Sequence, residues 1–204
     1  MTLAVYRILI NLIFLFSPII ILIRILKGKE DLNRFPEKLG FFSKKKVGKK
    51  LIWFHGASVG ELLSVIPLIE NLEKDKNINQ ILLTSSTMSS AKVFSKFKFK
   101  KTIHQFFPID SNIISKKFIN FWKPSISIFI VSEVWPNLIL NLNKEKIPII
   151  LLNARITKKS FKRWKILKNF ADKIFQCFSN TYPCNKETQG FLKFFGVKNI
   201  DLID

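Results

Sequence analysis

Short apolar runs of strand length, each followed by a stretch with helical spacing, recur along the chain from residue 51 onward. Strands are predicted at 51–55 (LIWFH), 80–84 (QILLT), 102–107 (TIHQFF), 126–132 (ISIFIVS), 147–152 (IPIILL) and 173–178 (KIFQCF). Helices fit 60–73, 88–97, 112–121, 136–145, 159–170 and 185–195. The strand runs are continuously apolar rather than alternating, which suits strands covered on both faces. Strands separated by helices predict right-handed βαβ units on a parallel sheet. The expected body, residues 51–204, is therefore an α/β, Rossmann-like domain with helices flanking the sheet.

A different pattern precedes it. Residues 8–23 (ILINLIFLFSPIIILI) carry no charge, and Arg7 and Arg24 bracket them. As a helix, Leu3 to Leu26 extends for ~36 Å, and the uncharged part for ~24 Å. The second figure is short of a ~30 Å hydrocarbon core, a gap that snorkelling arginines can close. Pro18 is tolerated in a membrane helix. Residues 1–26 are thus expected to form a hydrophobic membrane anchor, spanning or inserted monotopically. A buried core helix and a signal segment are the competing readings. Against a signal, no small-x-small cleavage pattern follows; the next polar residues are Arg24, Lys27, Lys29, Glu30 and Asp31. Residues 27–50 hold nine Lys/Arg and three acids, and are expected to act as a basic linker. By the positive-inside rule, that bias places the rest of the chain on the cytoplasmic face of the inner membrane.

Charge and composition narrow the partners. The 204 residues include 34 Lys+Arg against 14 Asp+Glu, a formal net charge of +20. Such an excess favours anionic partners: anionic lipid, phosphorylated substrates or nucleic acid. A nucleic-acid role finds no RNP, helix-turn-helix or zinc-finger pattern to support it. The two cysteines, Cys177 and Cys184, exclude a disulfide scaffold, and His55 and His104 make no metal-ligand spacing.

Candidate chemistry gathers where an open α/β sheet binds ligands, beyond the carboxyl ends of its strands. The first strand leads into His55-Gly56-Ala57-Ser58-Val59-Gly60-Glu61, the second into Thr84-Ser85-Ser86-Thr87 and the third into Pro108, Ile109 and Asp110. The fourth leads into Glu133-Val134-Trp135-Pro136-Asn137 and the fifth into Asn153-Ala154-Arg155. The first of these resembles a phosphate-binding turn at a helix start, although it is neither G-x-G-x-x-G nor a P-loop. Each position also has a plainer reading. Glu61 and Glu133 suit the positive end of a helix dipole, Arg155 a surface cation, and His55 a strand-end core residue.

In combination these residues resemble the 3-deoxy-D-manno-octulosonic acid (Kdo) transferases of lipopolysaccharide assembly. The resemblance rests on the apolar N-terminal segment and on Arg34-Phe35-Pro36-Glu37-Lys38-Leu39-Gly40. It rests further on Trp53 to Glu61, close to the family's H-A-x-S-V-G-E, on Thr84–Thr87, on Glu133 to Asn137, and on Leu152-Asn153-Ala154-Arg155-Ile156 followed by Ser160. The Gly56-Ala57 pair and Pro36 are small departures. The family has two facing Rossmann-like domains, the GT-B arrangement. The resemblance identifies this chain with the N-terminal, acceptor-binding one and implies that the C-terminal donor domain is absent from it.

The same resemblance implies a reaction and a set of roles. Kdo passes from CMP-Kdo to lipid IVA, with no metal and no cofactor. Glu61 is the general base that takes the proton of the acceptor hydroxyl, and Glu133 stabilises the transition state or orients the acceptor. Ser58, Gly60, Ser85, Ser86, Thr87, Asn137 and Arg155 contact the acceptor. Anionic inner-membrane lipids are further partners. A catalytically incomplete membrane-bound remnant, or one half of a split enzyme, is the alternative.

Overall fold

The computed structural model describes residues 3–202. The first two residues of the expected anchor and the last two of the expected domain lie outside it. Helix α1 (Leu3–Leu26) comes first, followed by a 3₁₀ turn at Phe35–Leu39. Six strands follow: β1 (Leu51–His55), β2 (Gln80–Ser85), β3 (Thr102–Phe106), β4 (Ile126–Ile130), β5 (Ile149–Ala154) and β6 (Asn180–Pro183). Between and after them lie α2 (Val59–Lys74), α3 (Met88–Phe94), α4 (Asn112–Trp122), α5 (Pro136–Lys144), α6 (Lys158–Ile166), α7 (Lys168–Phe175) and α8 (Lys186–Phe194). The sheet is wholly parallel in the order β3-β2-β1-β4-β5-β6, so the connection reverses direction between β1 and β4.

Strand residues feed two layers, as the two-faced pattern of the sequence requires. Leu51, Trp53, Leu82, Phe129 and Leu151 pack with α4, α5 and α7. Ile52, Phe54, Ile81, Leu83, Ile128 and Ile130 pack against the apolar stripe of α2, namely Leu62, Val65, Ile66 and Ile69. Five helices start at a Ser, Thr or Asn whose side chain accepts an early backbone N–H: Ser58, Thr87, Ser111, Thr157 and Asn185. Helix α5 differs. Its entry residue, Trp135, provides no such cap; the Asp110 carboxylate accepts from the N–H groups of Asn137 and Leu138 instead.

Three expectations shift. The run 173–178 is not a strand, because Phe170, Ala171, Ile174 and Phe175 form one buried helical face in α7. The sixth strand is Asn180–Pro183. The expected helix 159–170 breaks at Leu167 into α6 and α7. Strand β4 stops at Ile130 rather than residue 132, because Val131 takes a left-handed backbone (φ 63°).

Part of the stretch expected as a linker is packed. Glu37 is 2% exposed and holds both Nε and Nη2 of Arg34, at 2.9 and 3.0 Å, and accepts from the Ser43 hydroxyl. It also accepts from Phe106 N–H at 2.7 Å, which occupies a donor on edge strand β3. Arg34 reaches on to the carbonyl and Nδ1 of His104, both at 3.0 Å. The Arg-Phe-Pro-Glu-Lys-Leu-Gly segment thus buckles the chain to the sheet edge.

Candidate active site

Strands β1 and β4 flank the reversal point; the loop after β1 leads into the first turn of α2, which bears Glu61, and the loop after β4 bears Glu133. Gly56 leaves β1 at a tight place: a Cβ there would lie 3.0 Å from the Glu61 Cβ and 3.3 Å from the Ile130 Cδ1, so those neighbours would have to give slightly. The close approach lets Glu61 fold back over the loop. Its Oε2 accepts from Ala57 N–H at 2.7 Å and its Oε1 from the Ser58 hydroxyl at 3.0 Å, while Ser58 Oγ caps Glu61 N–H. This is close to a capping box, so the helix-start reading of Glu61 is structurally realised. Each carboxylate oxygen still has acceptor capacity for a further donor. Gly60 faces open space: a Cβ at that position would meet no atom within 4 Å.

Glu133 is held differently. Its Oε2 accepts from Trp135 Nε1 at 2.8 Å and lies 3.1 Å from His55 Nε2. Its Oε1 has no protein donor among the described residues. Burial alone would raise the Glu133 pKa; the hydrogen bonds from His55 and Trp135, with the His55 charge interaction, outweigh it and hold the group below its usual value. The His55 ring is fully buried, stacked on Phe107 with centroids 3.7 Å apart, and its Nδ1 lies 3.0 Å from Thr84 Oγ1. Val131, a β-branched residue at positive φ, precedes the Glu133 loop, and Asn153, at φ 51°, sits at the end of β5. Such a backbone is costly for a β-branched residue like Val131, which lies at the rim that carries the carboxylates.

The remaining candidates fall into two groups. Ser58, Gly60, Thr87 and Arg155 are exposed on the rim, and the Arg155 guanidinium has no partner among the described residues. Ser86 is half-buried, and its N–H reaches the Ala57 carbonyl, joining the β2 loop to the β1 loop. Ser85 and Asn137 are turned inward. Ser85 Oγ pairs with His104 Nε2 at 2.8 Å. Asn137 donates to the Asp110 carbonyl at 2.7 Å and accepts from Arg7 at 2.9 Å. Their side chains serve the framework beneath the rim.

Two residues gain roles that the sequence pattern did not assign. His55 is both the core residue it resembled and the hydrogen-bond partner of Glu133. Asp110, 2% exposed, caps α5 and accepts from the Tyr6 hydroxyl of α1 at 2.7 Å. Burial pushes its pKa up to about 6, against the opposing pull of Tyr6, Asn137, Leu138 and Arg7. The only advance signal was the scarcity of acids in a basic chain.

A parallel sheet in this order, with polar loops converging at the reversal point, defines a Rossmann-like domain. The same architecture appears in a UDP-GlcNAc 2-epimerase from Neisseria meningitidis, with a TM-score of 0.54 at 13% identity, covering 76% of this chain and 46% of that one. The chain belongs to the family described as 3-deoxy-D-manno-octulosonic-acid transferase (kdotransferase), whose N-terminal profile matches residues 33–203. A 3-deoxy-D-manno-octulosonic acid transferase of Rickettsia bellii is 42% identical over 91% of this chain and 45% of its own length. A probable mitochondrial one of Arabidopsis thaliana is 39% identical over 78% of this chain and 36% of its own. One from Haemophilus influenzae is 31% identical over 67% and 32%. The chain therefore spans less than half the length of these relatives.

Proposed function

We propose that this chain is the acceptor-binding half of a Kdo transferase, moving Kdo from CMP-Kdo to lipid IVA at the cytoplasmic face of the inner membrane. The observation that carries the reading is the placement of two carboxylates just beyond the strands that flank the reversal point, Glu61 in the first turn of α2 and Glu133 on the loop after β4. A sugar hydroxyl is a weak nucleophile, and a base must take its proton as it attacks. Glu61 accepts that proton while the acceptor oxygen bonds to the anomeric carbon of Kdo and CMP departs with the electron pair of the broken bond. Glu133, with Oε2 held by His55 and Trp135, presents Oε1 and its negative charge to the developing oxocarbenium centre or to the acceptor. Ser58, Ser86, Thr87 and Arg155 border the acceptor, and Gly60 leaves room for it. Ser85 and Asn137 support that surface from below.

In this reading residues 1–26 anchor the protein, the basic stretch 27–50 meets anionic head groups, and residues 51–204 form the acceptor domain. The CMP-Kdo grip lies outside these residues, on the same or another polypeptide. Holding both reacting centres in register is worth up to ~7–11 kcal/mol, so this half alone turns over poorly. Calorimetry with the two substrates tests the assignment. Residues 1–204 should bind lipid IVA in mixed micelles and show no appreciable affinity for CMP-Kdo. Tight CMP-Kdo binding, or robust transfer by this chain alone, overturns the acceptor-half reading.

A further inference from the structure

Helix α1 is tied to the domain at both of its ends. Near its start, the Tyr6 hydroxyl donates to Asp110, and Arg7 donates to Asn137 at 2.9 Å and to Asn112 at 3.2 Å. Near its finish, Arg24 pairs with the buried Glu30 at 2.8 Å. Glu30 in turn pairs with Lys38 at 2.6 Å, and Lys38 reaches the Ser86 carbonyl at 3.3 Å. Ser86, Asp110 and Asn137 follow β2, β3 and β4. Both clasps therefore grip the carboxyl rim of the sheet, the rim that carries Glu61 and Glu133.

Between the clasps a narrow stripe faces the domain: Tyr6, Arg7, Ile10, Ser17, Ile21 and Arg24, spaced largely by three, four or seven. Much of the remaining surface is exposed and apolar, with Ile8, Leu15, Ile19 and Leu22 each more than half exposed. A helix so apolar needs a cover, and the domain covers only a small part of it.

We propose that α1 lies in the plane of a single leaflet of an anionic membrane, with both ends on the domain's side, and does not cross the bilayer. The inference rests on the membrane reading above and adds its geometry. A crossing helix separates its ends by a ~30 Å hydrocarbon core, and one domain rim cannot grip both of them. Charge agrees with the single-leaflet arrangement. At the start of α1, the Tyr6 ring lies 6.0 Å from Phe170 of α7, beside α6 with Lys158, Lys159, Lys162, Arg163 and Lys165. Every residue of α6 is at least partly exposed. At the finish, a cavity of about 740 Å³ is lined by four cations, Arg24, Lys29, Arg34 and Lys92, against one acid, Asp31. The domain sets basic side chains beside both ends of α1, and both sets can meet one anionic surface only if the two ends lie on the same side. In this pose the catalytic rim faces the lipid–water boundary, and the sugar of an acylated acceptor reaches the carboxylates without its chains leaving the leaflet.

Cysteine labelling tests the pose. In a Cys177→Ser, Cys184→Ser background, one version of the full chain carries a cysteine in an N-terminal tag and another carries Lys198→Cys. Both are treated with a membrane-impermeant maleimide in inside-out and right-side-out inner-membrane vesicles, with detergent-opened vesicles as the labelling control. Both cysteines should react in inside-out vesicles and neither in right-side-out ones. A tag cysteine that reacts from the face opposite to Lys198→Cys, or from both faces, overturns the in-plane helix while leaving membrane attachment intact. A chain that fails to sediment with the vesicles at low salt overturns the membrane reading itself.

Discussion

His55 and Glu133, 78 residues apart, meet with Nε2 of the imidazole 3.1 Å from Oε2 of the carboxylate. Because the carboxylate accepts, Nε2 carries the proton, and the Thr84 side of the ring is where Nδ1 finds its partner. The pair joins the ends of β1 and β4 across the reversal point, and Trp135 closes the same oxygen from the other side.

The first prediction concerns that pair. In an enzyme completed by a donor domain, His55→Ala should lower kcat, by an amount approaching that of Glu133→Gln, with little change in KM for the acceptor. His55→Gln, whose amide can still donate, should recover part of the loss. Steady-state kinetics of the three variants decide it. A His55→Ala enzyme with normal kcat would remove His55 from any positioning role.

Glu61 separates into two functions that one substitution can divide. Glu61→Gln keeps an oxygen to accept from the loop but loses the proton acceptor. Transfer should fall roughly 10²–10⁴-fold, the span of general-base contributions. The melting temperature should stay close to the parent value, because the amide can still cap. Near-normal turnover would show that the proton leaves by another route.

The buckle at the sheet edge should matter more than the surface ion pairs. Glu37→Ala strips two bonds from Arg34 and one from Phe106 N–H at a site 2% exposed, and should cost about 3 kcal/mol. Lys158→Ala breaks a 3.5 Å pair whose side chains are 79% and 45% exposed, and should cost less than ~0.5 kcal/mol. Chemical denaturation of both variants tests the ordering.

Buried titratable groups make the fold sensitive to acid in two pH ranges. His104 is held neutral, its pKa pushed down from 6.5 to about 3 by burial and then by the Arg34 guanidinium. The folded pKa is the lower one, so the unfolded chain binds the extra proton first. The stabilisation is complete above pH 6.5 and is lost progressively as the pH falls toward 3. Glu30, Glu73 and Glu133, all held below 4.5, add a second loss at lower pH. Asp110, whose folded pKa of about 6 lies above its usual 3.8, gains stability over part of the same range and offsets this loss, so the His104 stage should appear as a difference in slope between the parent and His104→Gln. An unchanged slope would mean that His104 is not the titrating group.

The sequence by itself determined the α/β body. Continuous apolar strands such as Leu51–His55 encode burial on both faces, and helical spacing places the helices between them, because both signals are local. It also marked the apolar helix and the strand ends beyond which Glu61 and Glu133 lie. The stretch 173–178 misled because a short apolar run looks alike in a strand and on a buried helix face; packing around Phe170 and Ile174 chose the helix. Only the tertiary structure decided which polar groups on the rim face solvent and which are consumed beneath it. Ser85 turns to His104, Asn137 to Asp110 and Arg7, and His55 to Glu133, contacts spanning 19 to 130 residues. No local pattern encodes those pairings, because a buried polar group takes whichever partner the assembled sheet brings within reach.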